Sequence, residues 1–168
     1  MRHAKSDWTT GNDDFQRPLN KRGEEDAPFM GKIISSIERV PDLIYVSAAM
    51  RTKQTASLCV QGMQFKGDVS FKEELYEGDA NSVLNVLQKT PEKYQRIMLV
   101  GHNTYLEELI SSLICANKIN LHFPTAAIAI FEAEIESWKQ LKQSSSCLLG
   151  ILIPKMLRKL PINSMFKL

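Results

Sequence analysis

The sequence predicts an α/β fold with a mainly parallel, mixed sheet and helices on both faces. Three observations carry that prediction. Two short apolar runs, Leu43–Val46 and Ile97–Val100, each precede a stretch with helical spacing of apolar residues. Strand-like and helix-like segments alternate along most of the chain, the pattern of parallel sheets covered by helices. Two strand-like segments, Ala126–Phe131 and Leu148–Ile153, then follow one another and predict an antiparallel pair at one edge.

The elements are justified in order. Residues 1–19 are polar and carry turn signals at Thr9-Thr10-Gly11-Asn12 and Arg17-Pro18, which reads as a long loop. From Asn20, the residues Ala27, Met30, Ile34 and Ile37 recur every three or four positions, so a helix is expected. Pro28 is expected to bend or restart that helix, and Pro41 to end it. The run Leu43–Val46 predicts a buried strand, and a helix from Met50 to Val60 follows, closed by Gly62 at its C-cap. Val69–Phe71 reads as a short strand, and Asp79 as the cap of a helix containing Val83, Leu84 and Leu87. Ile97–Val100 then runs through Gly101-His102-Asn103 into Leu106, Leu109, Ile110 and Leu113 at helical spacing. The last two strands flank Trp138 and a turn at Ser144-Ser145-Ser146.

The composition fits a single domain over residues 1–168, with 43% apolar and 24% charged residues, and excludes a disordered chain. A net charge of +2 gives no reason to expect a nucleic-acid partner. No apolar run approaches the length needed to cross a bilayer, so no membrane partner is expected. The opening MRHAKSDW has no apolar export core, and the three separated cysteines Cys59, Cys115 and Cys147 read as reduced thiols. A cytoplasmic location is the expectation. Cys59 and Cys115 fall on apolar helix faces and are expected in the core.

Several chemistries lack their residues. There is no GxGxxG and no GxSxG, and Asp68 stands where a phosphate-binding loop beginning at Gly62 needs its lysine. No cysteine has an arginine six positions later. The three histidines His3, His102 and His122 form no metal-binding spacing, so neither metal nor other cofactor is expected.

What remains is Arg2-His3, the stretch Ser47–Arg51 that brings an arginine onto a first helical turn, and Gly101-His102 at a strand end. Ligands in open α/β sheets bind beyond the carboxyl ends of strands, where Ser47 and His102 are expected. Two guanidiniums and two imidazoles converging there would make an anion pocket, since guanidinium binds phosphoryl oxygens in bidentate fashion and stays charged. One imidazole could attack phosphorus and the other could donate hydrogen bonds as charge develops. Gly101 is expected to let the backbone approach a ligand. Ser47 reads as the cap of the helix carrying Arg51, Lys5 and Lys53 as surface lysines, and His122 as a turn residue. The tail Lys155–Leu168 reads as a packed or frayed terminus.

These residues, in this order, resemble the histidine phosphatase superfamily, and within it the small phosphohistidine phosphatases of the SixA type. The stretches that carry the likeness are MRHAKSDW, DDFQRPLNKRGEEDAPFMG, PDLIYVSAAMRTKQTA, EELYEGD, MLVGHNTYLEEL and PTAAIAIFE, which run from residue 1 to about residue 132. The resemblance implies a three-layer, phosphoglycerate mutase-like sandwich. It implies His3 as the nucleophile that takes up the phosphoryl group, with Arg2, Arg51 and His102 binding and neutralising that group. It also implies that no metal is needed. The family places an apolar strand before the Arg-His pair where this chain has Met1 alone, so the first strand is expected to be truncated. Superfamily members that use a proton-donating acid carry it in L-x-E, which Leu75-Tyr76-Glu77 fits, so Glu77 is a further catalytic candidate.

The resulting expectation is a phosphohistidine phosphatase acting on phosphorylated proteins through a phospho-His3 intermediate. The alternatives are a phosphomonoesterase for small molecules or phosphoserine and phosphothreonine, and a non-catalytic phosphate-binding protein. A nucleophile at position 3 without its supporting strand motivates the last of these.

Overall fold

Strand β1 (Leu43–Ser47) is buried along its whole length and pairs in parallel on both edges. Its partners are β2 (Asp68–Lys72), with Leu43 opposite Asp68, and β3 (Ile97–Val100), with Leu43 opposite Ile97. A strand buried on both faces must be apolar throughout, which is why Leu43–Val46 is a continuous run rather than an alternation. Strand β4 (Ile128–Glu132) pairs antiparallel with β5 (Cys147–Leu152), as the sequence predicts, with a bulge between Ile130 and Phe131. This computed structural model describes residues 1–115, 117 and 119–160, so the part of the predicted tail beyond residue 160 lies outside the described residues.

Helices cover both faces. Helix α1 (Lys21–Ser36), α2 (Met50–Met63) and the short α6 (Pro154–Leu157) pack over one apolar cluster with Ile44, Val46 and Val100 at its centre. The short α3 (Glu74–Glu77), α4 (Ala80–Gln88) and α5 (Tyr105–Ile114) cover the other, around Tyr45, Leu75 and Leu109. The three-layer arrangement expected from the resemblance is therefore the observed one.

Local chemistry explains the helix boundaries. Asn20 and Asp79 cap α1 and α4 by accepting from the N–H groups of Gly23 and Ser82. Pro28 does not restart α1, which runs on past it from Lys21 to Ser36. One expectation is corrected. Gly62 is not the C-cap of α2: the helix continues to Met63 and Gln64 takes the left-handed conformation, with φ 54°. Gly62 instead lies against the Pro28 carbonyl, and any Cβ there would collide with it, so the glycine sets how closely α1 and α2 approach.

The largest departure concerns the chain start. Residues 1–3 are not part of a loop. Arg2 bridges Gly101 in parallel, with His3 N–H donating to Gly101 O at 2.9 Å and Gly101 N–H to Met1 O at 3.0 Å. On the other side Arg2 N–H donates to Ala127 O at 3.0 Å and Ala126 N–H to His3 O at 3.1 Å. These three residues join β3 to the β4–β5 pair, and they hold His3 at the carboxyl edge of the sheet. The Met1 ammonium is buried and donates to Leu99 O at 2.6 Å; desolvation pushes its pKa down to about 5.

Candidate active site

The sheet delivers three elements to one point. Residues 1–3 bring Arg2 and His3, the end of β1 with the first turn of α2 brings Ser47 and Arg51, and the end of β3 brings His102. The rings of His3 and His102 lie 5.2 Å apart, tilted by 53°. Both histidines and Arg51 are buried, at 8%, 7% and 5% exposure, which is unusual for such polar groups and demands partners.

His3 has a defined tautomer. Its Nδ1 lies 2.7 Å from Ala4 O, and a carbonyl oxygen only accepts, so Nδ1 carries the proton and Nε2 keeps its lone pair. Desolvation, followed by the positive field of Arg51, Arg2 and Arg17, pushes the His3 pKa down to about 4 against the raising effect of the Ala4 bond. Desolvation first, then Arg51, His3 and Arg17, push His102 to about 3. Both imidazoles are therefore neutral near pH 7, and a neutral imidazole is the form that can attack.

His102 is held from two sides. Its Nε2 lies 2.8 Å from Ser47 Oγ, and its backbone N–H donates to the Tyr105 hydroxyl at 3.0 Å, which in turn donates to Leu75 O at 2.9 Å. Two sequence expectations change here. Ser47 does not cap α2, whose N-cap is Ala49; it fixes an imidazole instead. Gly101 does not open space for a ligand, because a Cβ at that position would fall on the Tyr105 hydroxyl.

Arginine binding completes the pocket. Arg2 Nη1 donates to Phe123 O at 2.8 Å, Arg51 Nη2 to Asp14 Oδ2 at 2.9 Å, and Arg17 Nη2 to Asp14 Oδ1 at 2.9 Å. Arg17, which the sequence reading left out of the site, is 6% exposed and stacks its guanidinium 3.4 Å from the centre of the Trp8 ring. Its signal was the Arg-Pro-Leu within DDFQRPLNKRG. Asp14 also accepts from the Tyr76 hydroxyl at 3.2 Å. Desolvation raises the Asp14 pKa, but Arg51, Arg17 and the Arg51 and Tyr76 hydrogen bonds outweigh it and hold the carboxyl below its usual range.

Among the described residues, the buried side-chain atoms without a hydrogen-bond partner are Nε of Arg2, Arg17 and Arg51, Nδ1 of His102 and Oδ1 of Asn103. Buried polar groups are nearly always paired, so the three unpaired guanidinium N–H groups of Arg2, Arg17 and Arg51 are donors that an anion could satisfy. Glu77 is exposed at the end of α3 and lines a polar cleft with Lys72, Ser82 and Lys89, whose lining includes none of Arg2, His3, Arg51 and His102, while its neighbour Tyr76 faces His102 with ring centres 5.9 Å apart. Lys5, Lys53 and His122 are exposed, and Cys59 is in the core, whereas Cys115 is half-buried beyond α5.

Comparison with known proteins bears on the family and the fold. A sequence profile for the histidine phosphatase superfamily (branch 1) matches residues 1–83. An uncharacterized chloroplastic protein of Arabidopsis thaliana is 34% identical over 151 residues, covering 83% of this chain and 67% of that protein. A candidate phosphohistidine phosphatase SixA from Agrobacterium tumefaciens superposes with a TM-score of 0.78 at 26% identity, covering 92% of this chain and 95% of that one. A candidate SixA from Nakamurella multipartitia shares the fold at a TM-score of 0.80 and 23% identity, over 92% and 93% of the two chains.

Proposed function

Since the chain belongs to the histidine phosphatase superfamily, we propose that it is a phosphohistidine phosphatase that works on phosphorylated proteins through a covalent phospho-His3 intermediate. In the first step His3 Nε2 attacks phosphorus, the P–N bond to the substrate imidazole breaks, and that imidazole leaves with the electron pair and takes a proton from solvent. In the second, water attacks phosphorus, the P–Nε2 bond breaks, and inorganic phosphate departs with His3 restored.

The residues divide the work. Arg2, Arg17 and Arg51 supply positive charge around the phosphoryl oxygens, and each has an unpaired Nε–H to offer. His102 offers Nδ1–H when Ser47 donates its own proton to Nε2, a pairing the 2.8 Å contact accommodates. Charge neutralisation by guanidinium makes a metal unnecessary for either step.

One observation carries the choice of substrate. Glu77 points elsewhere, and Asp14, the carboxyl that does face the arginines, is held ionised by them. A site without a protonated carboxyl favours leaving groups that depart readily, and an imidazole departs far more readily than an alkoxide. The test is to compare turnover of a phosphohistidine-containing protein with that of a phosphoserine peptide and a sugar phosphate. Faster turnover of phosphohistidine supports the reading; preference for the phosphomonoesters, or none for any, contradicts it.

A further inference from the structure

One side of the phosphoryl site carries apolar surface that no step of the reaction uses. Trp8 is 72% exposed and Phe71 56%, and the exposed Val69 stands on the same face of β2 as Phe71. Exposed apolar residues scattered singly mean little, but these belong to one connected rim. The rim starts at the site itself. The Tyr76 ring faces His102, and Phe15 packs edge-on against Tyr76, with ring centres 4.9 Å apart. The ammonium of Lys53, on the first turn of α2, lies 5.8 Å from the centre of the Phe15 ring and 5.8 Å from that of Phe71. In the other direction the Tyr76 hydroxyl donates to Asp14, Asp14 pairs with Arg17, and Arg17 lies against Trp8.

Secondary structure holds the rim in place. Phe15 O accepts from Met50 N–H at 2.9 Å, which ties the loop before α1 to the start of α2. Phe71 is carried by β2, which among the described residues pairs with β1 alone. Side chains fixed in this way lose little freedom when a partner covers them. Position decides what that partner is. His3, His102 and Arg51 are buried, whereas the Asp14 side chain is 52% exposed, so the pocket meets solvent beside Asp14 and Tyr76. A phosphoryl group borne by a protein enters from that side, and the polypeptide around it then lies across the rim. From His102 to Phe71 the line of contacts is no longer than about seven extended residues. Charge adds a preference. The two rings beside Lys53 favour its cation, and among the described residues no carboxylate pairs with it. A carboxylate on the incoming chain is the complement.

We infer that this rim is the docking surface for the protein that carries the phosphohistidine, and that it selects polypeptide in which apolar residues and carboxylates flank that histidine. The apolar residues cover Phe71, Val69 and the exposed side of Trp8, and a carboxylate reaches Lys53. Aromatic side chains that become buried at the centre of a contact are a usual source of its binding energy. The inference deepens the phosphohistidine reading and rests on it. The phosphoryl pocket recognises the group being transferred, and the rim distinguishes one bearer of that group from another.

The test compares three donors. The first is a peptide of about fifteen residues, long enough to cross the rim in either direction, with phosphohistidine at its centre and leucine and glutamate on both sides. The second has serine for leucine and glutamine for glutamate, and the third is phosphohistidine as the free amino acid. The parent chain should turn over the first with a KM at least about tenfold below those of the other two. Phe71→Ser and Lys53→Glu lie outside the pocket. Both should leave turnover of the free amino acid within about twofold while raising the KM for the leucine–glutamate peptide by about tenfold. Equal KM values for the three donors, or variants that slow every donor alike, would overturn the inference and leave the phosphohistidine reading standing. So would a dimer of this chain that hides Phe71. Docking is also read without chemistry, by fluorescence polarisation of the two phosphorylated peptides on His3→Asn, which has no nucleophile at that position. The leucine–glutamate peptide should bind at least about fivefold more tightly there, and equal binding would overturn the docking surface. If the parent chain hydrolyses none of the donors, the phosphohistidine reading fails, and this binding preference still decides the docking surface.

Discussion

The Asp14 carboxylate grips the Arg51 guanidinium, with Oδ2 2.9 Å from Nη2 and the Asp14 carbonyl oxygen also accepting from Nη1. Arg51 is buried and Asp14 half-exposed, so the carboxylate reaches in from the rim to a cation fixed by the fold. Arg51 keeps its Nε–H free, but a bidentate grip on a phosphoryl group also needs an Nη–H that Asp14 holds, so Asp14 is expected to compete with the substrate for that donor. Asp14→Asn should tighten binding of phosphate or tungstate by roughly three- to tenfold, measured by calorimetry. Weaker binding in the variant would show that Asp14 orients Arg51 instead.

Ser47 Oγ lies 2.8 Å from His102 Nε2, and donating there it supports the tautomer with the ring proton on Nδ1. Ser47→Ala leaves His102 Nε2 without that partner and frees the ring to place its proton on the wrong nitrogen. Turnover should fall by about tenfold to a hundredfold with little change in KM, and Ser47→Thr should restore most of it. A loss confined to KM would mean that Ser47 serves binding alone.

The buried imidazoles predict the acid limb of the stability profile. The ordinary histidine pKa is about 6.5 in the unfolded chain. In the fold His3 titrates at about 4 and His102 at about 3, so between these values the unfolded chain binds more protons. The contribution is intact above pH about 6.5 and is lost progressively as pH falls toward the folded values. The thermal midpoint should therefore drop across that window. In His3→Asn and His102→Asn the same drop should be shallower, which circular dichroism melts at a series of pH values will show.

Tyr105 links three elements, accepting from His102 N–H and donating to Leu75 O while buried. Tyr105→Phe leaves both backbone groups unpaired and should cost about 1–3 kcal/mol in urea unfolding. Gly101→Ala should be worse than its size suggests, because the new methyl meets the Tyr105 hydroxyl.

Glu77 faces a different cleft from the histidines. Glu77→Gln should leave phosphohistidine turnover within about twofold of the parent chain. A collapse of activity would instead place the acid in the reaction.

Much of the site was legible because its chemistry is carried by rare residue types at strand ends. Arg2, His3, Arg51 and His102 meet as the order of motifs implied. What was not legible depends on phase and on distant neighbours. Whether Tyr76 or Glu77 faces the pocket is decided by the turn of the four-residue α3, which no periodicity in so short a helix can reveal. Ser47 has the composition of a cap, and only the parallel register of β1 with β3 brings it to His102. Arg17 sits among turn residues, and its burial comes from Trp8 and Asp14 folding over it. Residues 1–3 read as loop because three residues are too few to show a strand pattern, yet two neighbouring segments pair with them.

The central claim is that His3 carries the phosphoryl group, and trapping it is the most direct measurement. Protein mixed with a radiolabelled phosphohistidine donor and quenched in alkali should hold label that is stable to base, lost in acid, and located on residue 3 by fragmentation. His3→Ala should hold none. Absence of label from the parent chain during active turnover, or equal label in His3→Ala, would contradict the mechanism.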